Sequence, residues 1–285
     1  MKIGLHSAFH TKSVDLSEFS STIEGIGFES FWLPEHVVIP VNPSVGPGGV
    51  TGASIPDSYL RMVDPLIGLT VAASSTKELL LGTGVCLIPE HHPIDLAKRI
   101  SSLDFYSGGR FVFGIGAGWQ PEETTVLGGD FTRRWAHTRE SIAIMKKLWT
   151  EDEPSHHGEY YSFPPLRFDP KPSKKPYPPI ILGGLSKWVF KRTAAWGDGW
   201  APFMVSPEIV AEGRGKLDEE CEKLDRDPST VEITVFVNPS VQSSVKESIE
   251  LYREAGADRL VFTVGSTPEE DPYGTAKKIA SGAQM

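Results

Sequence analysis

Cysteine is what the chain has least of: two in 285 residues, Cys86 and Cys221, far apart and in unrelated contexts. They build neither a disulfide framework nor a thiolate metal pattern, so a reducing, cytoplasmic compartment is the expectation. Long apolar runs are missing too. No stretch approaches the roughly 18 apolar residues that mark a bilayer-spanning helix, and the start MKIGLHSAFH has no signal-peptide core. Basic charge is in short supply, with Lys+Arg 28 against Asp+Glu 37 and a net charge of -9. With no basic stripe to neutralise phosphates, this balance argues against a nucleic-acid partner, although not against a local basic pocket. A GxSxG elbow, a P-loop and HExxH spacing are all absent, which removes the hydrolase, nucleotide and zinc-protease readings those motifs carry. His91-His92 and His156-His157 are adjacent pairs without metal-ligand spacing, so no metal is expected.

What is present is a regular alternation. Residues 2–7, 28–33, 79–85, 110–115, 180–182, 199–203, 231–237 and 259–264 read as eight strands, each followed by a helical pattern or a loop leading to one. Asp15 caps apolar positions Leu16, Phe19, Ile23 and Ile26 at helical spacing, and Gly27 ends that helix. Asp64-Pro65 supplies a cap with proline at the first helical position, and Ser186 and Ser206-Pro207 read as further caps. Residues 133–149 form the best single helix, with Ile142, Met145, Leu148 and Trp149 on one face. Two segments break the pattern. Residues 38–58 hold four prolines, four glycines and almost no charge, which suits a functional loop over a scaffold. Residues 150–179 hold eight prolines around EYYSF and read as an insertion, about 150–178, with a short strand or two. Eight βα units without two mononucleotide halves favour an α/β fold of the (β/α)8 TIM-barrel type. It forms one domain over 1–285, with insertions at the C-terminal face of the barrel.

In a barrel the strand exits are the face where sites lie. The fourth strand ends in Gly114, Gly116 and Gly118, followed by Trp119, Glu122 and Glu123. Glycines let a flat ligand approach the backbone, although the same run also reads as a tight turn. Its spacing is not that of a dinucleotide fingerprint, and Trp119-Gln120-Pro121 is a poor helix start for binding pyrophosphate. Trp119 could face a flat ring or join the core. Glu122 and Glu123 are adjacent and point in different directions, so at most one faces a site. His36 leaves the second strand behind Glu35, a position for a proton-carrying imidazole; a lone histidine also reads as structural. Gly183-Gly184-Leu185-Ser186, with Lys187 beside it, can present N–H groups and a hydroxyl to an anion, or simply turn the chain.

Taken in order, GFESFWLPEHVVIP, DPLIGLTVAAS, LLLGTGVCLIPEHHPIDLAKRISSLDFYSGGRFVFGIGAGW with its EE and LGGDF, PKPSKKPYPPIILGG and AAWGDGW resemble the luciferase-like monooxygenase superfamily over nearly the whole chain. Within it they look most like the F420-dependent oxidoreductase branch. The resemblance implies a TIM barrel with an isoalloxazine or deazaflavin ring at the carboxyl ends of the strands. His36 then stands beside the reactive ring centre, with Glu123 as partner acid or orienter and Trp119 on the same strand-four signature. Gly84-Val85 falls at a non-prolyl cis peptide behind the ring, Gly183, Gly184 and Ser186 on the phosphate-side loop, and Gly199 and Trp200 on the GDGW element. The implied activity is hydride transfer between F420 and a small organic substrate. The alternatives are an FMN-dependent monooxygenase and a cofactor-binding barrel without turnover. A homodimer is also implied. Two departures stand out: His91-His92-Pro93, where the family often has arginine before His-Pro, and Cys86 close to the expected ring pocket.

Overall fold

The strands are short, and most of their residues are buried on both faces, which only a sheet covered by helices on one side and closed on itself on the other can satisfy. A computed structural model spans the chain, and residues 1–239 and 244–285 are described. In chain order its strands are β1 (Lys2–His6), β2 (Ser30–Leu33), β3 (Leu80–Thr83) with a two-residue continuation β4 (Cys86–Leu87), β5 (Phe111–Gly116), a hairpin of β6 (His156–His157) and β7 (Ser162–Phe163), then β8 (Ile180–Gly183), β9 (Gly199–Ala201), β10 (Glu232–Val237) and β11 (Arg259–Thr263). β1, β2, β3, β5, β8, β9, β10 and β11 pair in parallel in that order, and β11 returns to β1. The closed eight-stranded barrel expected from the alternation is what the chain forms.

The helices are α1 (Leu16–Ile26), α2 (Pro65–Ser75), α3 (Pro93–Ser107), α4 (Pro121–Val126), α5 (Arg134–Thr150), α6 (Val189–Trp196), α7 (Pro207–Glu222), α8 (Val245–Glu254) and α9 (Pro272–Ala283). Asp15 and Asp64 cap as their side chains allow, accepting from the amides of Glu18 and Ile67. Gly27 closes α1 in the left-handed region at φ 112°. Ser186 does not cap. Helix α6 starts three residues later, and the Ser186 hydroxyl instead lies 3.5 Å from Arg192 Nη1. Ser206 stands at the N-cap position of α7, but its hydroxyl makes no capping bond.

Side chains alternate between two apolar layers. Phe31, Phe113, Leu182 and Val235 point outward into the helix-facing core, and Trp32, Val112, Ile181 and Phe236 fill the barrel interior. Trp32 occupies space that only glycine leaves free, since a Cβ at Gly82 would lie 2.0 Å from its ring. At the amino end of the barrel Arg110 donates to the carbonyls of Ala73, Thr76, Leu79 and Ser107, joining the ends of α2 and α3 to β3. Arg259 pairs with Glu29 and Glu232, and Lys2 also reaches Glu232. A concavity of about 390 Å³ between these groups is lined by Lys2, Leu80, Lys174, Glu232 and Arg259. It lies at the amino face, away from the strand exits where barrel sites sit.

The two irregular segments are tied down. Residues 38–58 carry a 3₁₀ turn at Pro47–Gly49, with a second at Asp57–Leu60, and Glu122 accepts from the Ser44 amide. The excursion after α5 contains the β6–β7 hairpin, and Glu140 of α5 accepts from the amides of Glu159, Tyr160 and Tyr161.

Candidate active site

His36 and Glu123 meet. As β2 ends, Pro34 and Glu35 turn the chain so that His36 faces α4, whose first turn carries Glu123. His36 Nδ1 donates to Glu123 Oε2 at 2.7 Å, and Glu123 Oε1 accepts from the amides of Val37 and Val38 at 2.7 and 3.1 Å. The Glu123 side chain is fully buried and that of His36 is 5% exposed. Tyr59, from the 3₁₀ turn Asp57–Leu60, stacks on the imidazole with centroids 5.1 Å apart, and Trp119 meets it edge-on at the same separation. The adjacent acids resolve as different groups, Glu122 holding the loop and Glu123 holding the histidine.

Beneath this pair lies a second polar network. Glu35 accepts from the Leu87 amide at 2.6 Å and from His91 Nε2 at 3.0 Å, while Arg99 donates to His91 Nδ1 at 3.1 Å. Burial would raise the Glu35 carboxyl, but His91, the Leu87 amide and Cys86 together hold it below the usual range. The Cys86 thiol is pushed well up by burial and by Glu35, so it stays protonated. Ligand atoms of Glu35, Cys86 and His91 lie within 4.8 Å of one another, a spacing a metal could use. Arg99 at Nδ1 leaves the proton of His91 on Nε2, however, so that nitrogen has no free lone pair as bonded. Glu90, also buried, is raised to about 9 by burial, by Glu123 and by Glu35, and is a neutral acid at pH 7.

At the strand exits the Gly84–Val85 peptide is cis, as the resemblance implied, and both residues are half-exposed. The Val85 side chain rests against two glycines: a Cβ at Gly116 would lie 2.8 Å from its Cγ2, and one at Gly183 would lie 3.2 Å from its Cγ1. The result is a low floor of backbone and one valine. Trp200 Nε1 donates to the Gly184 carbonyl at 2.9 Å and braces the 183–186 loop, on which Ser186 is exposed and apart from the His36 corner. His6, at the end of β1, is buried between Phe203 and Phe236. Burial pushes it down to about 4 against a weaker opposing contact with the Gly84 backbone. Gln120 is 1% exposed, with neither amide atom bonded to protein. Glu90, His6 and Gln120 carry no motif; the strand-exit position of His6 and the closeness of Gln120 to Trp119 were the only signals available.

Residues 6–279 match the family model described as luciferase-like monooxygenase. The chain belongs to the luciferase-like monooxygenase family. An uncharacterised protein of Mycobacterium tuberculosis is 32% identical over 267 residues, covering 90% of each chain. The crystal structure of monooxygenase RslO1 from Streptomyces bottropensis is similar with a TM-score of 0.80 and 19% identity, over 100% of this chain and 99% of that one. An F420-dependent secondary alcohol dehydrogenase, solved with an F420-acetone adduct, gives 0.79 and 17%, over 99% and 97%. At these identities the structural likeness shows the fold. Family and fold together make this luciferase-like protein an enzyme of the oxidoreductase type. Among the described residues no helix is long and apolar enough to cross a membrane.

Proposed function

We propose that the protein catalyses hydride transfer or oxygenation on a small organic substrate with a flavin-type cofactor, F420 or FMN, at the strand exits. One observation carries the reading: a buried imidazole with its Nδ1 proton fixed by Glu123 stands at the carboxyl face that also holds the Val85–glycine floor. The floor suits a planar ring, because side chains at Gly116 or Gly183 would rise through it. Gly84, Val85 and Gly183 would support the ring, Trp119 its edge, and Gly184 and Ser186 an anionic group beyond it. When bound, such a ring supplies the carbon or oxygen chemistry that no side chain has.

The protein's share is proton control and exclusion of water. Because Nδ1 donates to Glu123, the lone pair of the neutral ring lies on His36 Nε2, which takes a proton from a substrate hydroxyl; the protonated ring returns one or stabilises an oxyanion. Glu123 orients the ring while two amides keep the carboxylate in place. Tyr59 and Trp119 shield the imidazole on two sides. The 38–58 loop and the excursion would wall the substrate pocket. The FMN monooxygenase form is supported by the family description and the likeness to RslO1, and the F420 form by the likeness to the alcohol dehydrogenase. A homodimer belongs to the same reading. Ile67 on α2 and Phe105 and Tyr106 on α3 are 68%, 56% and 76% exposed, an apolar surface a second copy would cover.

Equilibrium binding of FMN and F420, followed side by side by fluorescence, tests the cofactor. Tight binding of one with negligible binding of the other selects that form. Binding of neither by folded protein removes the proposed function and leaves the barrel.

A further inference from the structure

A groove of about 430 Å³ runs between the start of α5 and the length of α6, next to the 183–186 loop. It is lined by Trp135, Arg139, Trp188, Lys191, Arg192 and Trp196, and no carboxylate lines it. The Arg192 guanidinium sits 4.3 Å over the Trp135 ring and reaches the Ser186 hydroxyl. Arg134, beside it, lies 3.9 Å over Phe131 and donates one bond to that residue's carbonyl, while its Nε is buried without a partner. Among the described residues none of Arg134, Arg139, Lys187, Lys191 and Arg192 makes an ion pair, whereas neighbouring Arg133 is paired with Glu159. Half-buried guanidiniums normally find a carboxylate, since desolvating a charge without one is costly. Here burial, and then Arg134, lower the proton affinity of Arg192. Five unpaired cations at one spot of a chain with net charge -9 mark a place for anions.

The charge count says what kind. A phosphate monoester brings roughly two negative charges, which the amides and hydroxyl of the 183–186 loop could hold with Lys187 alone. Arg134, Arg139, Lys191 and Arg192 would remain unmatched. We infer that the groove holds an extended polycarboxylate, the oligoglutamyl tail that follows the phosphodiester of F420, with Arg134 and Arg192 as bidentate carboxylate clamps and Trp188 as an apolar rim. The inference rests on the F420 form of the proposed function; FMN, which ends at its phosphate, has nothing to place there.

The test measures dissociation constants by fluorescence for F420 with an oligoglutamyl tail, F420 without glutamate, and FMN. The proteins are wild type, the Arg134→Gln/Arg192→Gln double variant and the outer-rim variant Arg139→Gln/Lys191→Gln, each checked for folding by circular dichroism. Tailed F420 is expected to lose roughly tenfold or more with the double variant and several-fold with the rim variant, the range of lost charge-assisted bonds. Glutamate-free F420 is expected to lose less than about threefold with either. Added salt should weaken the tailed form more steeply. Equal losses for tailed and glutamate-free F420, or no loss for either, overturn the groove assignment and leave the F420 reading standing. Wild type that binds FMN but no F420 overturns both.

Discussion

Glu123 determines what His36 can do, because it fixes which ring nitrogen is free. His36→Ala is expected to leave cofactor affinity largely unchanged while lowering turnover at least roughly tenfold, the low end for a lost acid–base group; unchanged kcat with a verified substrate would remove the assignment. Glu123→Gln keeps acceptors for the Val37 and Val38 amides but loses the charge, so kcat should fall and its pH profile shift while the melting temperature changes little. Glu123→Ala removes the acceptor of those part-buried donors and should in addition cost about 1 kcal/mol or more in total, read by urea unfolding. This much of the site was legible from residue types at strand exits. What sequence could not show was pairing. Nothing in PEHVV or QPEETT says that His36 and Glu123 share a bond, or that Glu122 turns to Ser44 instead. Glu90 and His6 are unreadable for the same reason, since their chemistry comes from burial and not from neighbours in the chain.

At the scale of elements, the barrel strands were easy to find because runs such as FVFGIG and EITVFV are buried almost throughout and bounded by turn signals. Helix starts with an aspartate were equally plain. Ser186 misled because a hydroxyl near a helix serves as cap or as partner to a side chain, and Arg192, six residues on, took it. The excursion read as irregular since its order comes from outside itself, through Glu140 of α5. Glu140→Ala removes the acceptor for three consecutive amides and for His156 Nε2. Limited proteolysis should then cut within residues 151–179 several-fold faster, with the far-ultraviolet circular dichroism of the barrel unchanged. Equal cleavage rates would show that the hairpin and the prolines suffice.

For the whole molecule, two buried groups bracket the pH range of greatest stability. His6 is pushed from 6.5 down to about 4, so below pH 6.5 the unfolded chain takes up a proton that the folded ring refuses, and stability falls as pH drops towards 4. Glu90 is raised from 4.5 to about 9. Its contribution is full below pH 4.5 and is lost as pH rises towards 9, because the unfolded carboxyl ionises and the folded one does not. Glu35 and Glu140, both held below the usual range, add to the acid limb below 4.5. Melting temperature should therefore peak on the acid side of neutrality, between the ordinary values of these two groups. Glu90→Gln should flatten the alkaline limb, and His6→Gln the acid one. A peak above pH 8 in wild type would contradict the Glu90 assignment, and a peak below pH 4.5 that of His6. Glu123 links this proton economy to shape. One carboxylate receives the imidazole of His36 and the amides of Val37 and Val38, so loop position and ring orientation are two coordinates of one equilibrium. A ligand that clamps the loop must also steady the bond between Glu123 and His36, and by reciprocity loss of that bond must change how tightly the ligand is captured.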